Sequence, residues 1–202
     1  MNRKPIQEIR RRELIEAAYR VFLVHGLAGL TTAKICKEAG MSPGLLVYYF
    51  KSKDDVLFWM VRHANNVLMN VVIQKMKAAT NRWDRLMAIV VGNFPEDLFN
   101  RNTANAWLSF YALSVHDKQL ERLQSVFNQR LTSNVHSCVN GILAGTELTD
   151  FSRGLGILID GCWLRKGGSL NNMTCVEAIA FVENQAVFML GAAKVEQLKS
   201  LS

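Results

Sequence analysis

Apolar residues recur at three- and four-residue intervals along nearly the whole chain, and no stretch alternates with the period of two that marks a half-buried strand. From Glu8 to His25 the residues Leu14, Ala18, Val21, Phe22 and His25 fall at helical spacing, with Arg10 to Glu13, Glu16 and Arg20 on the wet side. Gly26 closes this helix, and His25 is read as a cation at the negative end of the helix dipole. A short helix follows, capped by Thr31 or Thr32, with Ile35, Cys36 and Ala39 at helical spacing and Gly40 as its left-handed end. Ser42-Pro43 then opens another, with Ser as cap and Pro at the first helical position, where a missing N–H costs nothing.

Ser52, followed three residues later by Asp55, caps a long helix predicted from Lys53 to about Ala79. Leu57, Val61, Ala64, Leu68, Val71 and Val72 lie along one face, and no Gly or Pro interrupts it. At about 1.5 Å per residue it spans about 38 Å, long enough to leave one domain and enter another. The boundary is therefore placed inside it, giving domains 1–55 and 56–202. Beyond Thr80-Asn81 the pattern predicts helices at about 83–94, 99–116, 118–143, 149–166 and 174–195, with connections at Asn93-Phe94-Pro95 and from Gly141 to Thr146. Gly167-Gly168-Ser169 with Asn171-Asn172 forms the clearest loop, and Thr174 with Glu177 makes a capping box. The expectation is an all-α chain of about nine helices: a compact N-terminal trio, then a larger bundle.

Composition narrows this picture little. The chain has 202 residues, half of them hydrophobic, enough for a sizeable core, and a formal charge of +7 that favours an anionic partner. Arg3, Lys4, Arg10, Arg11 and Arg12 stand against Glu8 alone in the first twelve residues. Residues 1–7 read either as a solvated tail or as an arm reaching phosphates or the minor groove. Cys36, Cys138, Cys162 and Cys175 are scattered and never form C-x-x-C, so they read as free thiols. The histidines show no metal-binding spacing, and neither a signal-peptide apolar run nor a membrane span is evident. A cytoplasmic protein without metal or cofactor is expected.

Thr31 to Phe50 has the layout of a helix-turn-helix, whose second helix enters the major groove of DNA. That helix, Pro43 to Phe50, is oddly apolar for reading bases. Leu46 and Phe50, four apart, should face the core, leaving Pro43, Gly44, Leu45 and Val47 towards the groove. Apolar side chains there read only thymine methyls, and Gly44 admits a close backbone approach. Tyr48 and Tyr49 are adjacent, so at most one packs inward while the other offers its hydroxyl to a phosphate. Lys53, in the first turn of the long helix, is placed to grip a phosphate together with a backbone N–H. Thr32 and Ser42 complete the candidate DNA-contacting set.

The ordered set Thr31-Thr32, Ile35, Ala39-Gly40, Ser42, Gly44, Leu46, Tyr48, Phe50 and Ser52-Lys53 resembles the DNA-binding domain of TetR-family transcriptional repressors. Val47 departs from the pattern, which commonly has Tyr there; the aromatics stand at Tyr48 and Tyr49. The resemblance implies a homodimer on a palindromic operator, released by a small molecule bound in the C-terminal bundle. That half resembles the BetI-type repressors, which control conversion of choline to glycine betaine. The resemblance rests on Gly92-Asn93-Phe94, Trp107 to Tyr111, His116, Leu120 to Gln124, Arg130-Leu131 and the run from Gly154 to Arg165.

Trp107, Phe110 and Tyr111 share one helical face, as do Asp160 and Trp163. Aromatic rings with a carboxylate suit choline or a related quaternary ammonium compound, although an aromatic stripe of this kind reads first as bundle core. Asp160, inside the apolar run GLGILIDGCWL, should be paired, hydrogen-bonded or at a subunit interface, with Arg165 or Arg153 as partner if not a ligand. Leu155, Leu158, Ile159, Cys162, Ile179, Phe181, Val182, Val187, Phe188 and Leu190 give the last two predicted helices more apolar surface than one bundle needs. Core comes first as the reading of that surface; the resemblance implies a dimer interface.

An enzyme finds no support: there is no nucleophile–base pair, metal spacing or phosphate-binding glycine loop, and Gly154-x-Gly156 lacks the third glycine of a dinucleotide site. The alternatives to a choline-responsive repressor are a TetR-type repressor answering another small hydrophobic or cationic ligand, and a helical interaction module that does not bind DNA.

Overall fold

In the computed structural model, which describes residues 6–168 and 173–201, every regular element is a helix. There are ten among the described residues rather than about nine. The first three are α1 (Ile6–His25), α2 (Thr32–Ala39) and α3 (Pro43–Tyr49). Thr31, not Thr32, caps α2, its hydroxyl accepting the Lys34 N–H at 3.3 Å. Gly40 ends the helix at φ +63°, with its own N–H on the Lys37 carbonyl and that of Met41 on Cys36, a paired closure that a left-handed residue permits. Ser42 does not cap α3 with its side chain. The Leu45 N–H bonds the Ser42 carbonyl at 3.1 Å, and Pro43 at the first helical position does the rest.

α4 (Lys53–Ala78) is one uninterrupted helix of 26 residues. The Ser52 hydroxyl accepts the Asp55 N–H, and the Asp55 carboxylate accepts the Lys51 N–H, both at 3.1 Å. Leu57, Val61, Ala64 and Val72 are buried as expected, while Leu68 and Val71 are half-buried. By length and composition α4 is the one unbroken described helix that could cross a membrane; here it packs against α1, α5 and α7.

The bundle continues with α5 (Arg82–Gly92), α6 (Arg101–Ser114), α7 (Lys118–Val139), α8 (Gly145–Gly167), α9 (Cys175–Leu190) and α10 (Ala192–Ser200). Gly92 lets α4 and α5 touch: a Cβ there would stand 2.8 Å from the Val72 Cα. Three predicted boundaries moved for physical reasons. α7 ends at Val139, not 143, ahead of Gly141 at φ +80°. α8 begins at Gly145, not 149, because Ala144 precedes it with no capping side chain to mark the start. The predicted helix 174–195 breaks at Gly191, φ +78°, and α10 turns 103° away from α9. Val195 and Leu198 are then buried, and the Arg82 N–H bonds the Leu201 carbonyl at 2.8 Å. Of the expected loop, Gly167 ends α8 and Gly168 caps it; Ser169, Asn171 and Asn172 lie outside the described residues.

Two apolar clusters fill the molecule. One gathers Leu14, Phe22, Ile35, Leu46 and Phe50 with Val56 to Val61 of α4, and is completed from the other side by Ala106 and Phe110 of α6 and Leu120 and Leu123 of α7. The other joins α4, α5 and α6 to α7 to α10 through Val72, Leu86, Ala104, Val139, Leu155, Val182 and Leu198. Trp107 packs against both. All four cysteines are free, and burial pushes the thiols of Cys36, Cys138 and Cys162 up, which keeps them unreactive.

Candidate nucleic-acid interface and effector cavity

The helix-turn-helix presents an open face. Thr32, Ser42, Pro43, Gly44, Val47, Tyr48 and Lys53 are exposed, Leu45 and Tyr49 are half-buried, and Leu46 and Phe50 are buried inward. The two tyrosines divide as their adjacency requires. Tyr49 packs against the N-terminal cluster, whereas Tyr48 is 67% exposed and meets Tyr49 edge-on at 5.0 Å. Gln7 donates to the Tyr48 hydroxyl at 3.3 Å, placing that hydroxyl beside the first turn of α1, a contact that no sequence signal announced.

The basic N-terminal run is less free than its charge suggests. Arg10 pairs with Glu13 at 2.8 Å, Arg12 with Glu16 at 2.7 Å and Arg20 with Glu38 at 2.6 Å. Arg11 lies 4.0 Å over the Trp59 ring and 5.3 Å over Phe50, a stacked guanidinium that ties α1 to α4. Arg3 and Lys4 lie outside the described residues.

A cavity of about 100 Å³ opens between α4, α5, α6, α7 and α8. Trp107, Tyr111, Asp160 and Trp163 all line it, so four of the five ligand candidates converge. Phe110 does not. It is 1% exposed and points from α6 into the N-terminal cluster, while the next residue, Tyr111, lines the cavity and Trp107 touches both clusters. Trp163 stacks against Phe94 and meets Phe99 edge-on at 4.9 Å, and its indole N–H donates to the Asn93 carbonyl at 3.1 Å. Asn65, Met69, Asn93 and Asn134, which no helical spacing singled out, line the same cavity from elements distant in sequence.

The partner of Asp160 is neither arginine. Arg153 pairs with Asp150 at 3.7 Å, Arg165 is exposed, and among the described residues no ion pair reaches Asp160. Instead the Tyr111 hydroxyl donates to Asp160 Oδ1 at 3.3 Å. Asp160 keeps access to water yet is hemmed by protein, and it is that surrounding density which sets its desolvation. Desolvation raises its carboxyl above the usual range, the Tyr111 hydrogen bond opposing. The Tyr111 phenol is pushed well above its ordinary value, first by burial and then by the Asp160 charge. An under-compensated carboxylate beside aromatic rings attracts a cation, which would relieve both groups. No cluster of His, Cys, Asp and Glu among the described residues could hold a metal ion.

Residues 14–59 match the tetR family of bacterial regulatory proteins, and residues 83–186 match the BetI-type transcriptional repressor C-terminal domain. The HTH-type transcriptional regulator BetI of Stenotrophomonas maltophilia is 36% identical over 183 residues, 85% of this chain and 89% of its own. That of Serratia proteamaculans is 35% identical over 190 residues, covering 92% and 94% of the two chains. Among solved structures, a transcriptional regulator from Rhodococcus sp. Rha1 superposes with a TM-score of 0.78 at 18% identity, covering 89% of this chain and 95% of its own. A regulator from Saccharomonospora viridis, crystallised in complex with choline, gives 0.73 at 18% identity over 90% and 96%. At that identity the structures speak for the fold; the sequence matches span both halves of the chain. It belongs to the TetR family of helix-turn-helix transcriptional regulators, with the C-terminal domain of the BetI-type repressors, and is not an enzyme.

Proposed function

We propose that this repressor binds a palindromic operator as a homodimer in the cytoplasm and answers to choline or a close quaternary ammonium relative, controlling genes for conversion of choline to glycine betaine. One observation carries the reading: α4 holds Lys53 at its first position and lines the aromatic–carboxylate cavity with Asn65, Leu68, Met69 and Val72. Asn65 stands about 18 Å along the axis from Lys53 at about 1.5 Å per residue, within one rigid helix. A ligand that displaces the cavity wall of α4 therefore displaces its DNA-facing end. Two recognition helices must sit about 34–36 Å apart, or a multiple of it, so a shift of a few ångströms spoils the register. On the DNA side, Tyr48 rather than Tyr49 offers a hydroxyl to phosphate, and Val47, Gly44 and Pro43 face the groove.

The dimer reading is supported by α8 and α9, which carry Ile157 and Leu164, then Phe181 and Phe188, each pair seven residues apart and 44–82% exposed. Val176 on α9 is 70% exposed. Such apolar stripes on a helix pair suit a two-fold mate. Leu155, Ile159, Cys162, Val182 and Leu190 are core, as the first reading of that surface expected. The choline complex of the Saccharomonospora viridis neighbour makes choline the first ligand to test. Thermal shift across choline, betaine aldehyde and betaine is the direct experiment. Stabilisation by choline is expected; no response to any of the three removes the osmoprotectant reading and leaves the repressor.

A further inference from the structure

Most buried polar groups around the cavity already have partners. The Trp163 indole N–H is taken by the Asn93 carbonyl, the Asn93 side-chain amide by the Ile89 carbonyl at 2.8 Å, and the Tyr111 hydroxyl by Asp160. The Asn134 amide nitrogen lies 3.7 Å from Met69 Sδ. Asn65 is different. Its Oδ1 is shut off from solvent and has no hydrogen-bond partner among the described residues, although the side chain lines the cavity. A buried amide oxygen left unpaired carries its full desolvation cost, whereas a leucine of similar volume at the same place would carry none. Its neighbours on that wall, Leu68, Met69 and Val72, are apolar, so packing alone gives no reason for an amide there.

We propose that Asn65 reads the hydroxyl of a hydroxyalkyl quaternary ammonium ligand, while Asp160 and the aromatic rings take its cationic head. This rests on the ligand reading above. Asn65 and Asp160 line one cavity of about 100 Å³, small enough for a single small molecule with its charge at Asp160 to share it with the α4 wall. A hydroxyl both donates and accepts, so it satisfies the amide in either orientation of that side chain. A carboxylate only accepts, and a methyl group does neither. Asn65 thereby separates an amino alcohol from the dehydroxylated cation, which leaves the amide unpaired in either orientation. The discrimination comes from a polar group left unpaired by the wrong ligand, the strongest kind a small site can build.

The test is isothermal titration of the full-length protein and of Asn65→Leu with choline and with ethyltrimethylammonium, which is choline without its oxygen. The wild type is expected to prefer choline by about tenfold or more, the range set by leaving a buried acceptor unpaired. Asn65→Leu should bring the two cations within about twofold, with ethyltrimethylammonium bound at least as tightly as by the wild type. If Asn65→Leu melts below the titration temperature, Asn65→Ala replaces it, and the wild-type ratio is a test that needs no variant. Equal affinity of the wild type for both cations, or a preference that survives in the variant, overturns the hydroxyl inference and leaves the ligand reading standing. Binding of neither cation overturns both.

Discussion

The Tyr111 hydroxyl donates to Asp160 Oδ1 at 3.3 Å, tying α6 to α8 beside a cavity that otherwise offers the carboxylate no counter-charge. Choline is a fixed cation, so any pH dependence of its binding belongs to the protein. Asp160→Asn is expected to weaken choline by about tenfold or more, since it removes the charge and keeps the shape. Because burial raises the Asp160 carboxyl, wild-type affinity should fall on acidification at a pH above the ordinary carboxylate range of about 4, and the variant should show no such fall. The stability sign is opposite. A carboxyl that holds its proton more tightly folded than unfolded contributes most below the unfolded pKa, and that contribution is lost as pH rises through the folded one. At neutral pH the unliganded Asp160→Asn protein should therefore melt higher than the wild type. Calorimetry and titration across pH 4–8 check both halves.

Phe110→Ala should act on stability, not on ligand contact. The side chain is 1% exposed and fills the N-terminal cluster from α6, so its removal leaves a cavity worth about 3–5 kcal/mol. Urea unfolding measures the loss, and choline affinity of the folded fraction should stay within about threefold of wild type. A loss confined to choline binding would return Phe110 to the ligand site.

That residue also marks how far the sequence could be read. Helical spacing grouped Trp107, Phe110 and Tyr111 on one side of α6, but a period says which residues are neighbours, not what lies opposite each. α6 wedges between two cores, and the stripe divides there. The helix-turn-helix was legible because the Thr31 cap, Gly40 and Pro43 act locally, within a few residues. Asp160 was legible as a charge in an apolar run, although its partner was a tyrosine 49 residues away rather than a nearby arginine. The break at Gly191 was hidden because Val187, Leu190 and Val195 keep the apolar pattern running through it, while only the backbone of one glycine turns. Asn65 was invisible: one amide in a helix means nothing until its oxygen is found buried and alone.

Phe188, 82% exposed on α9, should be needed for self-association and not for folding. Phe188→Glu places a charge on the apolar stripe and is expected to yield a folded monomer by sedimentation and circular dichroism, with operator affinity lowered by about a hundredfold or more through loss of the paired half-site. A dimer that persists would move the interface elsewhere.

Lys53 heads α4 on the exposed side of the helix-turn-helix. Lys53→Ala should weaken binding to operator and unrelated DNA alike, and lower the slope of log affinity against log salt by about 0.9. An unchanged slope, measured by fluorescence anisotropy across a salt series, would take Lys53 out of the phosphate contacts.

The central claim is that α4 couples the cavity to DNA. Linkage makes it testable in one comparison: if choline lowers operator affinity by some factor, operator must lower choline affinity by the same factor. Choline should be titrated into the free protein and into its complex with operator DNA. Binding to the free protein should be the tighter, by the factor that choline takes from operator affinity; identical choline affinity in the two states would mean that α4 carries no coupling.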